Sequence, residues 1–212
     1  MLAEKNRAVI MAAAEITEYS FYIPQSGDYV ICADRGYVHA LKLGITPDIL
    51  LGDFDSLETP LPPEVEIRTY PAEKDETDLQ IAISCALEKG LKNILVIGAT
   101  GGRTDHFLAN VFLLYWAKER GAAVVLEDEN TRIRLLEGSL TVKNRKNTYL
   151  SLLALYGDAQ VSVSGVKYPL ERATLPFGST LGVSNEFTKE TAYIEVHRGS
   201  VLVLECAADR CL

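Results

Sequence analysis

Two aspartates one residue apart, Asp53 and Asp55 in GDFDS (52–56), follow directly on an apolar run. In an extended segment alternate side chains share a side, so both carboxylates face one space and Phe54 turns away. Each makes the other harder to ionise unless a cation lies between them. Mg²⁺ takes hard oxygen ligands of this kind and shares them with substrate phosphates. Further acids stand at matching places: Asp34 after YVICA, Asp75 and Asp78 in KDETD (74–78), and Asp105 in GATGGRTDH (98–106). A single Asp at such a junction is explained by helix capping. A set spread over four junctions with an Asp-x-Asp pair is better explained by a shared metal site.

GATGGRTDH supplies the complementary chemistry. Thr100, Gly101 and Gly102 form a turn that exposes backbone N–H groups, Arg103 offers a bidentate donor, and a helix begins. Alone it is equally explained as a tight strand–helix turn, but beside the aspartates it reads as a phosphate site. It is not a P-loop, because no Gly-Lys-Ser/Thr follows, and no GxGxxG occurs in the chain. Lys74 lies where it could meet the same anion, although an exposed lysine is equally explained as a solvated one.

These residues need a frame. RAVIMAA (7–13), YVICA (29–33), DILLG (48–52), NILVIG (93–98) and AAVVLE (122–127) read as buried strands, with EIRTYP (66–71) as a shorter one. Helical patterns run over 36–44, 77–90 and 104–121. The second has a capping box, Thr77 with Gln80, and Gly90 at its C-cap position. Strands alternating with helices predict an α/β domain with a mainly parallel sheet, whose carboxyl edge would carry the acids. From about residue 129 the texture changes to short β-rich segments: TRIRLLEG, SLTVK, YLSLLAL, AQVSVSGV, TAYIEVHRG and SVLVLEC. They predict a small all-β sandwich or barrel. The expected division is 1–128 and 129–212.

The chain of 212 residues carries a formal net charge of -8, which argues against nucleic acid as a partner. Cys32, Cys85, Cys206 and Cys211 form no CxxC pair and read as reduced thiols of a cytoplasmic protein. The apolar stretch AVIMAAAEI is too short and too interrupted for a signal peptide or membrane span. His39, His106 and His197 read as surface residues without a catalytic role, and Trp116 as core. No serine or cysteine stands in a nucleophile–base arrangement.

Taken in order, ADRG (33–36), GDFDS, KDETD, GATGGRTDH and LPFGSTLGVSNEF (175–187) closely resemble the motifs of the thiamine pyrophosphokinase family, over about residues 7–204. The resemblance implies transfer of a diphosphate from ATP to thiamine with Mg²⁺, giving thiamine diphosphate and AMP. It implies a homodimer of two-domain subunits with active sites at the subunit interface, ATP and metal held by the α/β domain and thiamine contacts added by a β sandwich. By position it assigns Asp53, Asp55 and Asp78 to the metal, and adds Asp105 to make the catalytic acids. Asp34, Lys74, Thr77, Thr100, Gly101, Gly102 and Arg103 fall on the nucleotide side, and Asp105, Ser184 and Asn185 on the thiamine side. Tyr168, Phe177 and Phe187 are candidate walls for a cationic thiazolium, weighed against burial in the core. Two departures stand out: ADRGY replaces a DGGAN-like sequence, and AAAE (12–15) replaces a Gly-Gly-Glu turn. Rival readings are a pyrophosphokinase for a pterin-like hydroxymethyl heterocycle, a metal-dependent phosphohydrolase, and a non-catalytic nucleotide-binding module.

Overall fold

A computed structural model describes residues 5–53, 60–71 and 75–208. It divides into two compact units, Met1–Glu129 and Asn130–Leu212. In the first, β1 (Arg7–Met11), β2 (Asp28–Ala33), β3 (Ile49–Gly52), β4 (Glu66–Thr69), β5 (Asn93–Ile97) and β6 (Ala123–Glu127) lie in the order β6-β5-β1-β2-β3-β4. Every one of these pairs is parallel. Parallel neighbours need crossovers. A 3₁₀ turn (Asp34–Gly36) leading into α1 (Tyr37–Leu43), α2 (Asp78–Glu88) and α3 (Thr104–Lys118) provide those after β2, β4 and β5, while residues 12–27 join β1 to β2 without a helix. The central strands read as unbroken apolar runs because Ala8, Ile10, Ile31, Leu50 and Ile97 are fully buried. Edge strand β4 is largely exposed and correspondingly polar.

The strand order reverses between β1 and β5, with β2, β3 and β4 on one side and β6 on the other. Beyond the carboxyl ends at such a switch point lies the crevice where open α/β sheets bind ligands. The turns after β1 and β5, 12–14 and 98–103, are therefore placed by topology.

Helix ends differ a little from expectation. Thr77 caps α2 by accepting the Gln80 N–H at 3.3 Å, but Gln80 donates its amide to Glu76 at 2.8 Å, so the capping box closes on one side only. The C-cap of α2 is Lys89, one residue before Gly90, and α3 stops at Lys118.

The second unit is antiparallel: β7 (Thr131–Lys143), β8 (Thr148–Ala154), β9 (Ala159–Ser164), β10 (Leu170–Leu175), β11 (Asn185–Glu186) and β12 (Thr191–Ala207). Four of the segments expected to be separate strands are two long ones. TRIRLLEG and SLTVK join in β7 through Gly138 (φ 87°), and TAYIEVHRG and SVLVLEC join in β12 through Gly199 (φ 75°). Both glycines lie in the left-handed region, where they bend a strand without ending it. The first part of β12 runs between β7 and β9, and the part from Val201 between β7 and β8. Residues of both parts, Ile194 and Val203 among them, enter one apolar cluster with Leu150, Leu152, Val161 and Val163. Among the described residues no helix is long and apolar enough to cross a membrane.

Candidate active site

Asp34 sits immediately beyond β2 in the left-handed conformation, φ 47°, a strained place for a non-glycine residue that Asp tolerates better than most. Its backbone is pressed against the end of β3: a Cβ on Gly52 would lie 3.1 Å from the Asp34 Cα. On its other side Gly36 meets the end of β1, where a Cβ would come 1.8 Å from the Met11 carbonyl oxygen. The two glycines thus let three strand ends converge around one carboxylate. Asp34 Oδ1 is buried and has no hydrogen-bond partner. Burial first, then the charges of Asp78 and Asp53, push its pKa up from the ordinary 3.8, against an opposing backbone hydrogen bond from Arg35. Acids from the ends of β2 and β3 and the start of α2 therefore share one electrostatic environment.

The glycine turn after β5 is differently built. Arg103 and Asp105 pair with each other, Nε to Oδ1 at 3.1 Å and Nη2 to Oδ2 at 2.6 Å, and Asp105 also accepts the His106 N–H. Arg103 holds the Asp105 carboxyl down to about 2. Both side chains are more than half exposed, so the guanidinium can exchange this partner for a phosphate at little cost. Thr100 does not join the turn's open face: its hydroxyl donates to Asp128, and it is absent from the cavity wall. Asn110 of α3 donates to the Ala99 carbonyl at 2.9 Å and fixes the turn from beneath.

A cavity of about 590 Å³ joins these parts. Asp34, Thr77 and Asp78 line one rim, Gly101, Gly102 and Arg103 another, and residues 12–14 complete the wall. The donor chemistry fits a hard divalent cation, since a buried, orphaned carboxylate oxygen beside two more carboxylates calls for positive charge. Among the described residues no three candidate ligands converge on one point. Asp55 and Lys74 lie outside the described residues.

In the second unit Ser184 is exposed with φ 58°, and its N–H donates to Ser151 Oγ at 2.9 Å. Asn185 is buried, and its amide is consumed locally. Its Oδ1 accepts the Tyr168 and Glu186 N–H groups, each at 3.0 Å, and its Nδ2 donates to the Tyr168 carbonyl at 2.8 Å. That arrangement makes Asn185 a clamp that presents Tyr168. Tyr168 and Phe177 are 60% and 61% exposed, contrary to a core reading, whereas Phe187 packs against the core.

Residues 22–126 match a family model described as thiamin pyrophosphokinase, catalytic domain, and residues 139–201 one described as thiamin pyrophosphokinase, vitamin B1 binding domain. A thiamine pyrophosphokinase of Bacillus subtilis (strain 168) is 34% identical over 182 residues, spanning 82% of this chain and 85% of that relative. The chain belongs to the thiamine pyrophosphokinase family. Thiamin pyrophosphokinase 1 of Caenorhabditis elegans is 25% identical over 75% of this chain and 70% of its own length. A crystal structure of thiamine pyrophosphokinase from Bacillus subtilis superposes with a TM-score of 0.86 at 29% identity, covering 95% of this chain and 99% of that one. A thiamin pyrophosphokinase structure from Geobacillus thermodenitrificans gives 0.81 at 28% identity, covering 97% and 100%.

Three side chains of this thiamine pyrophosphokinase family member were misread from the sequence. His39 is buried rather than on a helix surface. His197 is largely buried, its Nε2 2.8 Å from Ser162 Oγ. Trp116 is partly exposed, with the Arg120 guanidinium 3.9 Å above its ring. His106 is exposed as expected but stands at the cavity mouth, and Asn110 was not singled out. The GGRTDHFLAN spacing could have found Asn110, because a residue seven after Arg103 lies two turns along α3 on the same face.

Proposed function

We propose that this chain transfers a diphosphate from ATP to the hydroxyl of thiamine, giving thiamine diphosphate and AMP. The observation that carries the reading is the buried, unpartnered Asp34 carboxylate oxygen, crowded by Asp53 and Asp78, opposite the glycine turn and Arg103. Asp53, Asp55 and Asp78, with Asp34 beside them, would hold Mg²⁺. When bound it supplies positive charge to the phosphate oxygens. Arg103, Lys74 and the N–H groups of Gly101 and Gly102 orient the triphosphate. The thiamine hydroxyl then attacks the β-phosphorus in line, a P–O bond forms, the bond to the α-phosphate bridging oxygen breaks, and AMP leaves. The hydroxyl proton passes to solvent or a nearby carboxylate. Positioning and electrostatics are sufficient for such chemistry, without a covalent nucleophile.

Thiamine recognition is assigned to the second unit, through Ser184 and the exposed rings of Tyr168 and Phe177. The same proposal includes a β-sandwich arrangement of that unit, a homodimer with shared active sites, and a cytoplasmic location. Incubation with ATP, Mg²⁺ and thiamine, followed by chromatography, tests it. AMP and thiamine diphosphate should form together and stop on chelation. Formation of ADP, hydrolysis without an acceptor, or preference for a hydroxymethylpterin would overturn it.

A further inference from the structure

The buried His39 has no role in the chemistry above, yet both its ring nitrogens are engaged. Nε2 lies 2.9 Å from the Ala14 carbonyl oxygen, and Nδ1 lies 2.6 Å from the Tyr19 hydroxyl. A carbonyl only accepts, so Nε2 carries the proton; Nδ1 of the neutral ring must then accept from Tyr19. The tautomer is fixed by its partners.

What His39 holds is a wall of the cavity. Residues 12–14 follow β1 at the switch point and line the cleft with Gly98 and Ala99. The turn's N–H groups are tied to β5 and its end: Ala12 N–H donates to the Ile97 carbonyl and Ala14 N–H to the Gly98 carbonyl, both at 2.8 Å. Its outgoing carbonyl is tied to His39. Gly98 makes room for this, since a Cβ there would sit 2.6 Å from the Ala12 carbonyl oxygen, 3.1 Å from that of Ala14 and 3.1 Å from His39 Nε2. The sequence AAA offers no side chain of its own to hold the turn.

We infer that His39 is a positioning residue for the nucleotide cleft, a latch in which Tyr19, the imidazole and the Ala14 carbonyl keep the turn at 12–14 in its ligand-ready shape. The inference rests on the reading that this cleft takes ATP. The groups facing the ring are the Tyr19 hydroxyl, the Ala12 and Ala14 carbonyls, Gly98, and Lys42 on its own helix; Glu129 lies near Tyr19. Burial first, and Lys42 after it, keep the imidazole pKa below its ordinary 6.5, consistent with a permanently neutral latch.

His39→Phe keeps an aromatic ring and removes both hydrogen bonds. The KM for MgATP should rise about tenfold, from loss of the hydrogen bond that holds the Ala14 carbonyl, with kcat and the KM for thiamine within about threefold of the parent. His39→Gln can donate from the Nε2 position and should restore the KM for MgATP to within about threefold. An unchanged KM in His39→Phe, or equal damage in the two variants, overturns the latch. If His39→Phe fails to fold, Tyr19→Phe and histidine ¹⁵N NMR of the intact chain decide the matter. The parent should show one fixed Nε2–H tautomer at His39, and Tyr19→Phe should keep it, because the Ala14 carbonyl still accepts, while the Nδ1 resonance moves downfield on losing its donor; a mixed or Nδ1–H parent, or an unmoved Nδ1 resonance in Tyr19→Phe, refutes it. The NMR result does not depend on activity, so absence of diphosphate transfer would remove the functional reading and leave the latch separately judged.

Discussion

The two ends of strand β2 each carry an aspartate, and the two are treated oppositely. Asp28, at the amino end, is 4% exposed and fully satisfied. It accepts from Arg7 Nε and Nη2 at 2.7 Å each, from the Gln25 N–H at 3.0 Å and from the Tyr22 hydroxyl at 3.1 Å. Burial by itself would raise its pKa, but the Arg7 and Gln25 hydrogen bonds outweigh it and hold the carboxyl below 3.8. Asp34, at the carboxyl end, has a left-handed backbone, an orphaned oxygen, carboxylate neighbours and a raised pKa. A buried acid that folding needs is given donors. A half-buried acid with one oxygen left without a donor, at the edge where open α/β sheets bind ligands, is an arrangement suited to a cation.

The comparison is broken most easily at the acid pair. Asp53→Asn or Asp55→Asn should lower turnover by about 100-fold or more, since each would weaken the hold on the cation that stabilises the transferring group. Stability without metal should not fall. Steady-state rates and urea midpoints with and without Mg²⁺ measure both, and near-normal turnover would remove these residues from the site.

The next effect separates the two ends of β2 directly. Asp28→Asn leaves Arg7 half-stranded and should cost about 2–4 kcal/mol of unfolding free energy. Asp34→Asn should leave the metal-free protein as stable as the parent or more so, because Asn tolerates the left-handed backbone and the repulsion is relieved. The pH dependences have opposite signs. Asp28, with its lowered pKa, contributes stability above 3.8 that is lost as pH falls through its folded value. Asp34, with its raised pKa, binds its proton more tightly when folded, so stability falls as pH rises from 3.8 through its folded value. Urea titrations across this range on parent and variants, without metal, check the slopes; matching slopes would void the contrast.

The smallest effect concerns the exposed Arg103–Asp105 pair. Arg103→Ala should leave the melting temperature unchanged while raising the KM for MgATP by about tenfold, one charge-assisted contact. A drop in melting temperature at constant KM would make the pair structural.

Much of this was legible in the chain because it depends on local rules. Apolar runs separated by helical periods dictate a parallel sheet, and the position of Asp34, Asp53, Asp78 and Asp105 after strands dictates which edge they share. Family motifs such as GDFDS and GGRTDH are contiguous and survive reading in one dimension. What the chain hid were choices made by packing. Gly138 and Gly199 look like turn residues, yet bend strands β7 and β12, which stay paired with each other before and after the bends. Asn185 looks like a ligand-facing amide, but the carbonyl and N–H of Tyr168 take it first.

Read along the chain alone, the residues dictate the order of elements, the edge that carries the acids and the family. The first two follow from periodicity and spacing and the family from the resemblance of contiguous motifs, all of them properties of neighbours along the chain. Folding had to bring distant residues together before it was settled which acid keeps an unsatisfied oxygen, that Thr100 turns away to Asp128, and that His39 lies buried beneath the turn at 12–14. Each of those outcomes depends on which donor or acceptor, 25 residues away for His39 and 28 for Thr100, arrives within hydrogen-bond reach once the strands have aligned.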